Sequence, residues 1–469
     1  MRVLQVLALL RALLRAQGRA CTDGDPRKCS GRACSARDVF DCGIWVSCDY
    51  LHPDFGDCTE LDLSGSRTRS VGEAGALAIA AALPESWLTE LQLGANDIGD
   101  AGASATSAIL PKTRLAKLDL DGNSISGAGA RDLAAALPMS SLGKLNLNDN
   151  AIGDDGARAI SAALPRTQIA WIFLNRNSIN DAGAWALAEA LPMTTKLTQL
   201  SLYDNNIGEL GARAISDALP RSRLTDLQLG RNAVGDGGAE ALANTLAQSQ
   251  LTELNLAANS VSEPGARALA QKLAESHLTE LQLGSNWIGD EGARALAQVL
   301  PESQLTELNL ASNTIGEAGA VALAGTLSKS RLTNLRLESN SVGEAGARAI
   351  AAVLVQSELT SLDIGCARVL SRARVARGRT RARGLTRAAV FSRRQNGIGV
   401  EGARAIAAVL GESKLTSLDL GCVRVCRARG SQGHARAPFH ARGRLLAIGA
   451  TASASRARAP SPPCLASRS

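Results

Sequence analysis

One apolar residue recurs every 27 positions through most of this chain: Leu88, Leu115, Leu142, Ile169, Leu197, Leu224, Leu251, Leu278, Leu305, Leu332 and Leu359, with a single step of 28 between Ile169 and Leu197. Around each, a phrase such as LTELQLGANDIGDAGA (from Leu88) returns almost unchanged. A constant period of this length means one supersecondary unit copied end to end. A unit this short cannot bury its apolar face alone and must share a core with its neighbours. The chain therefore reads as a solenoid, and a solenoid offers a long surface for holding something.

Within one unit, Leu88, Leu91 and Leu93 read as a short strand with its leucines on one side. Asn96 and Ile98 follow, and then DAGASATSAIL has helical apolar spacing through Ala103, weakly Ala105, Ala108 and Ile109. Asp100 stands where a carboxylate caps the start of that helix, and Pro111 ends it. The asparagine recurs at Asn96, Asn123, Asn150, Asn177, Asn205, Asn232, Asn259, Asn286, Asn313 and Asn340. Its expected work is structural: an inward amide that satisfies backbone groups in the bend after each strand. Gly102, Gly129, Gly156, Gly183 and Gly211 fit a tight turn or a close backbone approach.

The pattern LxxLxLxxNxI followed by GxxGAxAIAxAL resembles the ribonuclease-inhibitor-like leucine-rich repeat, over about residues 58 to 421 apart from one insertion. The resemblance implies an α/β horseshoe solenoid of about 12 repeats, with a parallel β-sheet on the concave side and helices on the convex side. The same family includes the repeat domains of NOD-like receptors and of Ran GTPase-activating protein, and it mostly serves protein–protein recognition. The repeat names a scaffold and not a ligand.

Charge is unevenly spread. The total is +7, yet segments 1–20, 367–395 and 423–469 together hold 23 arginines and no acid, which leaves −16 for the remainder. An acidic array disfavours non-specific nucleic-acid binding and favours a basic protein partner; it also simply aids solubility. Six of the ten cysteines crowd together at Cys21, Cys29, Cys34, Cys42, Cys48 and Cys58. Without CxxC pairs they read as a disulfide framework of unstated connectivity, or as reduced cytosolic thiols. The expected organisation is a signal peptide at 1–20, a cysteine-rich N-terminal cap at 21–58, repeats at 59–366, an Arg-rich disordered insertion at 367–395, a last repeat at 396–422 and a disordered basic tail at 423–469. Both basic segments begin just after LDxGC at the same phase, and both read as translated intron sequence; a folded insertion, or a basic loop for nucleic acid or an anionic membrane, is the alternative for 367–395. Residues 1–20 support export to the outside of the cell, although Arg11 and Arg15 also suit an organellar transit peptide, and a cytoplasmic location stays open. No stretch is long and apolar enough to span a bilayer.

Side chains between the leucines of each strand fall in columns on the open sheet face. The first column runs from Glu90 through Lys117, Lys144, Trp171, Gln199 and Asp226 to Glu253, Glu280 and Glu307. Trp171, Phe173 and Tyr203 are expected on adjacent strands, with Asn148, Asp149, Arg176 and Asp204 around them, in a chain that is only 3% aromatic. Trp, Tyr and Arg anchor interfaces most often, so these seven residues are the expected partner-binding site; the bland reading is local packing of AWIFL. The outer helices carry Arg131, Arg158, Arg213, Arg267, Arg294 and Arg348 as a solvated face, with Trp185 the one oddity. The four histidines, His52, His277, His434 and His440, share no metal-ligand spacing, and no Ser/His/Asp or Cys/His set can be assembled. The expected function is a non-enzymatic interaction scaffold or receptor-type protein needing no cofactor or metal. The alternative is regulation of an enzyme, such as GTPase activation.

Overall fold

Leucines at three positions of a six-residue run fix where each strand begins and which side it buries. The computed structural model describes residues 45–48, 58–65, 70–365 and 396–420. Expectations for 1–20, for Cys21, Cys29, Cys34 and Cys42, and for 367–395 and 423–469 lie outside those residues. The described residues form one sheet of 14 strands in unbroken sequence order. The strand β1, Trp45–Cys48, pairs antiparallel with β2, Cys58–Asp62, in a register that sets Cys48 opposite Cys58. From β2 onward every pairing is parallel: β3 (Glu90–Gln92), β4 (Lys117–Asp119), β5 (Lys144–Asn146), β6 (Trp171–Phe173), β7 (Gln199–Ser201), β8 (Asp226–Gln228), β9 (Glu253–Asn255), β10 (Glu280–Gln282), β11 (Glu307–Asn309), β12 (Asn334–Arg336), β13 (Ser361–Asp363) and β14 (Ser417–Asp419). A helix follows each of β2 to β13, which gives an α/β leucine-rich-repeat solenoid.

One core runs the length of the array. Leu91, Leu93, Ile98, Ala103 and Leu110 of one repeat are all fully buried, and their equivalents repeat the pattern. The asparagine row stitches neighbours together as its spacing predicts. Asn123 Oδ1 accepts from Asn96 N at 3.0 Å, while its Nδ2 donates to Leu93 O of the preceding repeat at 2.8 Å and to Asp121 O at 3.0 Å. A buried amide that bonds two repeats leaves few backbone groups of the bend without partners. The row continues across the break at 367–395: Asn396 Oδ1 accepts from Val342 N at 3.1 Å and its Nδ2 donates to Leu337 O and Ile364 O, both at 2.8 Å.

Four local expectations need correction. In the helix Gly99–Ile109 the buried face is Gly102, Ala103, Thr106 and Ser107, and Ala108 is exposed. Thr106 and Ser107 tolerate the core because each hydroxyl donates to a carbonyl of its own helix, Gly102 O at 2.8 Å and Ser104 O at 2.7 Å. The recurrent glycines sit inside the first helical turn and serve close approach only. A Cβ on Gly102 would meet Ala76 Cβ at 2.9 Å, and one on Gly129 would meet Asp100 Oδ1 at 2.5 Å. Asp100 caps the next helix rather than its own: its Oδ1 accepts from Ser126 N at 2.7 Å and Gly129 N at 3.0 Å. Pro111, meanwhile, does not simply stop the chain's helical path. It sits in a 3-10 turn, Leu110–Lys112, that continues directly from the α-helix.

Candidate protein-interaction surface

The parallel register settles which side chains share the open face of the sheet. Lys144 pairs with Trp171 and Trp171 with Gln199; Asn146 pairs with Phe173 and Phe173 with Ser201. Trp171 is 43% exposed despite its place in the middle of the array, so AWIFL does not merely pack locally. Phe173 is half-buried. The Lys144 ammonium lies 5.8 Å from the Trp171 ring centre and 5.1 Å from that of Phe173, which ties the two rings through a cation–π contact. Lys144 was not among the expected site residues, although its place in the same column pointed to it.

Tyr203 stands outside the strands, unlike Trp171 and Phe173. It lies past the end of β7, where its amide donates to Asn175 Oδ1 at 2.7 Å, and its ring packs so closely over Gly230 that a Cβ there would meet it at 2.7 Å. The Tyr203 ring is thus packed against the following repeat. Asn148 is partly committed too: its Oδ1 accepts from Asn175 N at 2.8 Å. Many of the side chains two residues beyond the first column along each strand have the same commitment. Asp119, Asn146, Asn255, Asn309 and Asp363 each accept from the amide two residues on, an Asx turn that the leucine spacing alone does not announce.

The charged members of the expected site form a rail. Arg176 Nη1 reaches Asp149 at 3.2 Å and its Nε reaches Asp204 at 3.1 Å; Arg231 Nε reaches the other Asp204 oxygen at 3.4 Å. The four residues stand at one phase of successive repeats, all with left-handed backbone (φ of 50° to 57°). The hydrogen bonds it donates to both carboxylates push the Arg176 guanidinium further up. Beside the rail Asp121 is raised, first by burial and then by Asp119 and Asp149.

Beyond the rail the face turns acidic. Glu253, Glu280 and Glu307 pair in register across β9, β10 and β11, and all three are only partly exposed. Burial, then the neighbouring acids, raises Glu253 and Glu280. Asp226 is raised by burial despite hydrogen bonds from Gln228 and Gln199. Further on, burial and a shared hydrogen bond with Glu338 push Asp363 up to about 7. The helix-side arginines are, as expected, solvated: Arg158, Arg213, Arg267, Arg294 and Arg348 each close on an acid of their own helix. Trp185 is 56% exposed there. Among the described residues no helix is long and apolar enough to cross a membrane.

Six segments match the leucine-rich-repeat family model: residues 86–105, 139–161, 195–216, 223–243, 275–297 and 304–324. No curated protein matches the chain. Solved structures that resemble it include the Rad7–Elc1 complex of yeast, with 17% identity, 66% of this chain and 76% of that one covered, and a TM-score of 0.44. Another is an internalin of Listeria monocytogenes, with 22% identity, coverage of 65% and 86%, and a TM-score of 0.37.

Proposed function

On this leucine-rich-repeat frame, we propose a non-enzymatic scaffold that holds a protein partner on the concave face of its sheet, centred on β5 to β8. The observation that carries the reading is Trp171, a large ring left 43% exposed and flanked by Lys144 and Phe173, with the rail Asp149–Arg176–Asp204–Arg231 beyond the strand ends of the same repeats. An aromatic anchor rimmed by ordered charges is the composition of an interface centre. The acidic stretch from Asp226 to Glu307 beside it favours a partner that brings cations to that end of the face. On this reading Asn148 and Tyr203 shape the rim more than they contact the partner, because the Asn148 side-chain oxygen accepts from Asn175 and the Tyr203 ring packs over Gly230.

The same reading includes export, with the crowded cysteines paired in an oxidising compartment. Mass spectrometry of the secreted chain should find Cys48 and Cys58 oxidised; free thiols at both in secreted material would rule that part out.

The test of the site is Trp171→Ala with Lys144→Ala in the full chain. Capture of the partner, identified by cross-linking, should weaken by about tenfold or more, the scale of a single anchor residue, with an unchanged thermal midpoint. Undiminished capture would remove the site. Stimulated GTP hydrolysis by a captured small GTPase would instead support the enzyme-regulator reading.

A further inference from the structure

Where each helix runs on toward the next strand, the solenoid has an edge unlike either face. After a 3-10 turn at Leu83–Glu85 that ends on an acid, the chain makes five more there, at Leu110–Lys112, Leu137–Met139, Leu164–Arg166, Leu191–Met193 and Leu219–Arg221. The first three of these five stack on one another, as do the last two. A hydroxyl closes each turn: Thr113, Ser140, Thr167, Thr194 and Ser222 donate to the leucine carbonyl three residues back, at 2.8 to 3.0 Å. With that residue held inward, those on either side of it project.

The last residues of the five turns are Lys112, Met139, Arg166, Met193 and Arg221, so cation and thioether alternate along the edge. All are exposed, the two methionines at 67% and 57%. Arg114, Lys196 and Arg223, just beyond, are exposed as well. Residues 111–114, 138–141, 165–168, 192–196 and 219–223 include no acid; the nearest in sequence, Asp217, Glu189 and Asp226, belong to the preceding helices and to β8. Among the described residues none of these six cations forms an ion pair, although Arg114 lies 4.0 Å over Trp87. Elsewhere pairing is the habit: Arg213, Arg267 and Arg348 meet acids on their helices and Arg176 and Arg231 meet Asp204. Six unpaired cations on a part of the chain that is acidic in sum are a local field without an internal counterpart.

We propose that this ledge seats an extended acidic segment of a protein partner, one that alternates carboxylates with apolar side chains. The ledge is separate from the sheet face, and its occupant is independent of the site proposed there. Alternation argues for a peptide: carboxylates meet Lys112, Arg166 and Arg221 while apolar side chains meet the polarisable methionine tips between them. The step between turns lies between the strand spacing of ~4.8 Å and the helix spacing of ~8–10 Å, so the ledge spans roughly 20–40 Å and takes about 6–12 extended residues. A planar anionic membrane fits less well, because the same edge carries Glu275, Glu302 and Glu358 further along, which would face the lipid. A single-stranded nucleic acid calls for stacking platforms, and along the ledge the indole of Trp87 already stacks with Arg114.

The test is fluorescence anisotropy of a labelled decapeptide alternating Glu and Leu, bound to the full chain. The comparison probes are its Lys–Leu counterpart, an oligothymidylate and phosphatidylserine vesicles. The Glu–Leu peptide should bind and the Lys–Leu peptide should not. Lys112→Glu with Arg166→Glu and Arg221→Glu should weaken binding by roughly tenfold or more and flatten its salt dependence. Met139→Ser with Met193→Ser should weaken it by about threefold with the salt dependence intact. Lys329→Glu with Arg331→Glu, on the same edge outside the ledge, should change nothing. All of these positions are exposed, so each variant should keep the wild-type circular dichroism spectrum. Equal binding by the triple variant and the control pair would overturn the proposal. So would oligothymidylate or vesicles binding as tightly as the peptide through the same three cations, which would make the ledge a generic polyanion surface.

Discussion

At one phase of the repeat a single methylene decides what an acid does. Asp100, Asp154, Asp181, Asp236 and Asp290 each accept from two amides at the start of the following helix, for example Ser262 N at 2.7 Å and Gly265 N at 3.1 Å for Asp236. Glu209, Glu263 and Glu344 stand at the same phase and pair with Arg213, Arg267 and Arg348 of their own helices. The short carboxylate reaches across to orphaned helix N-terminal amides; the long one swings out to an i+4 arginine in water, where such a pair contributes little. Asp236→Glu should therefore lose two capping bonds and the Ser262 hydroxyl contact, costing about 1–2 kcal/mol by urea unfolding. A variant as stable as the wild type would show that the caps contribute nothing. In Asp100, burial tends to raise the carboxyl, but hydrogen bonds from Ser126 and Gly129 outweigh it and lower the value below 3.8. A depressed acid contributes stability that is present above 3.8 and lost as pH falls through the lower folded value. The sequence showed the aspartate and its helix start; it could not show which helix the carboxylate serves, because that depends on the offset between stacked repeats.

At the scale of strands and turns, periodicity reveals what is buried and hides what is already bonded. The leucines, the asparagine row and the solvated arginines were legible because each is a residue type recurring at one phase. The Asx turns that occupy Asp119, Asn146 and Asn309 were not, since a column position shows that a side chain faces outward without showing whether its oxygen is free. Tyr203 was misplaced for a related reason: its partner, Gly230, is one repeat away and gives no signal of its own. The strand pair β12–β13 carries the opposite electrostatics to Asp100. Asp363, opposite Arg336, is pushed up from 3.8 to about 7, chiefly by burial and then by the proton it shares with Glu338. Between those values the folded chain holds a proton that the unfolded chain has released, so stability falls as pH rises through that window. Asp363→Asn keeps an acceptor for Gly365 and a donor for Glu338 while removing the charge. It should stabilise the protein at pH 8 by about 1–2 kcal/mol, allowing for partial solvent screening, and leave it nearly unchanged near pH 4. An equal difference at both pH values, by urea unfolding, would mean that the carboxyl pair is not the titrating element.

For the whole molecule the question is what the array requires to be continuous. Each repeat contacts only its neighbours, so a break in the chain matters only if it displaces the next unit. The chain between Gly365 and Asn396 displaces nothing: Ser361 pairs with Ser417 in the ordinary register, Gly343 N bonds to Asn396 O at 2.7 Å, and Asn396 bonds to Ile364 O as Asn96 bonds to Leu93 O. Joining Cys366 directly to Asn396 restores the spacing of every earlier repeat, in which the ladder asparagine follows the strand leucine by the same interval. A chain lacking 367–395 should thus keep the fold, including the helix Gly399–Val409 and β14, and should gain about 1–3 kcal/mol from the shorter closure between the two ends. Hydrogen exchange gives the decisive reading, because overall circular dichroism would barely register one repeat. Amides of 399–409 protected as well as those of 343–354 would show that the intervening segment serves no structural purpose. Loss of protection there, with the rest of the array intact, would show that the last repeat depends on 367–395 and that the segment is part of the folded protein.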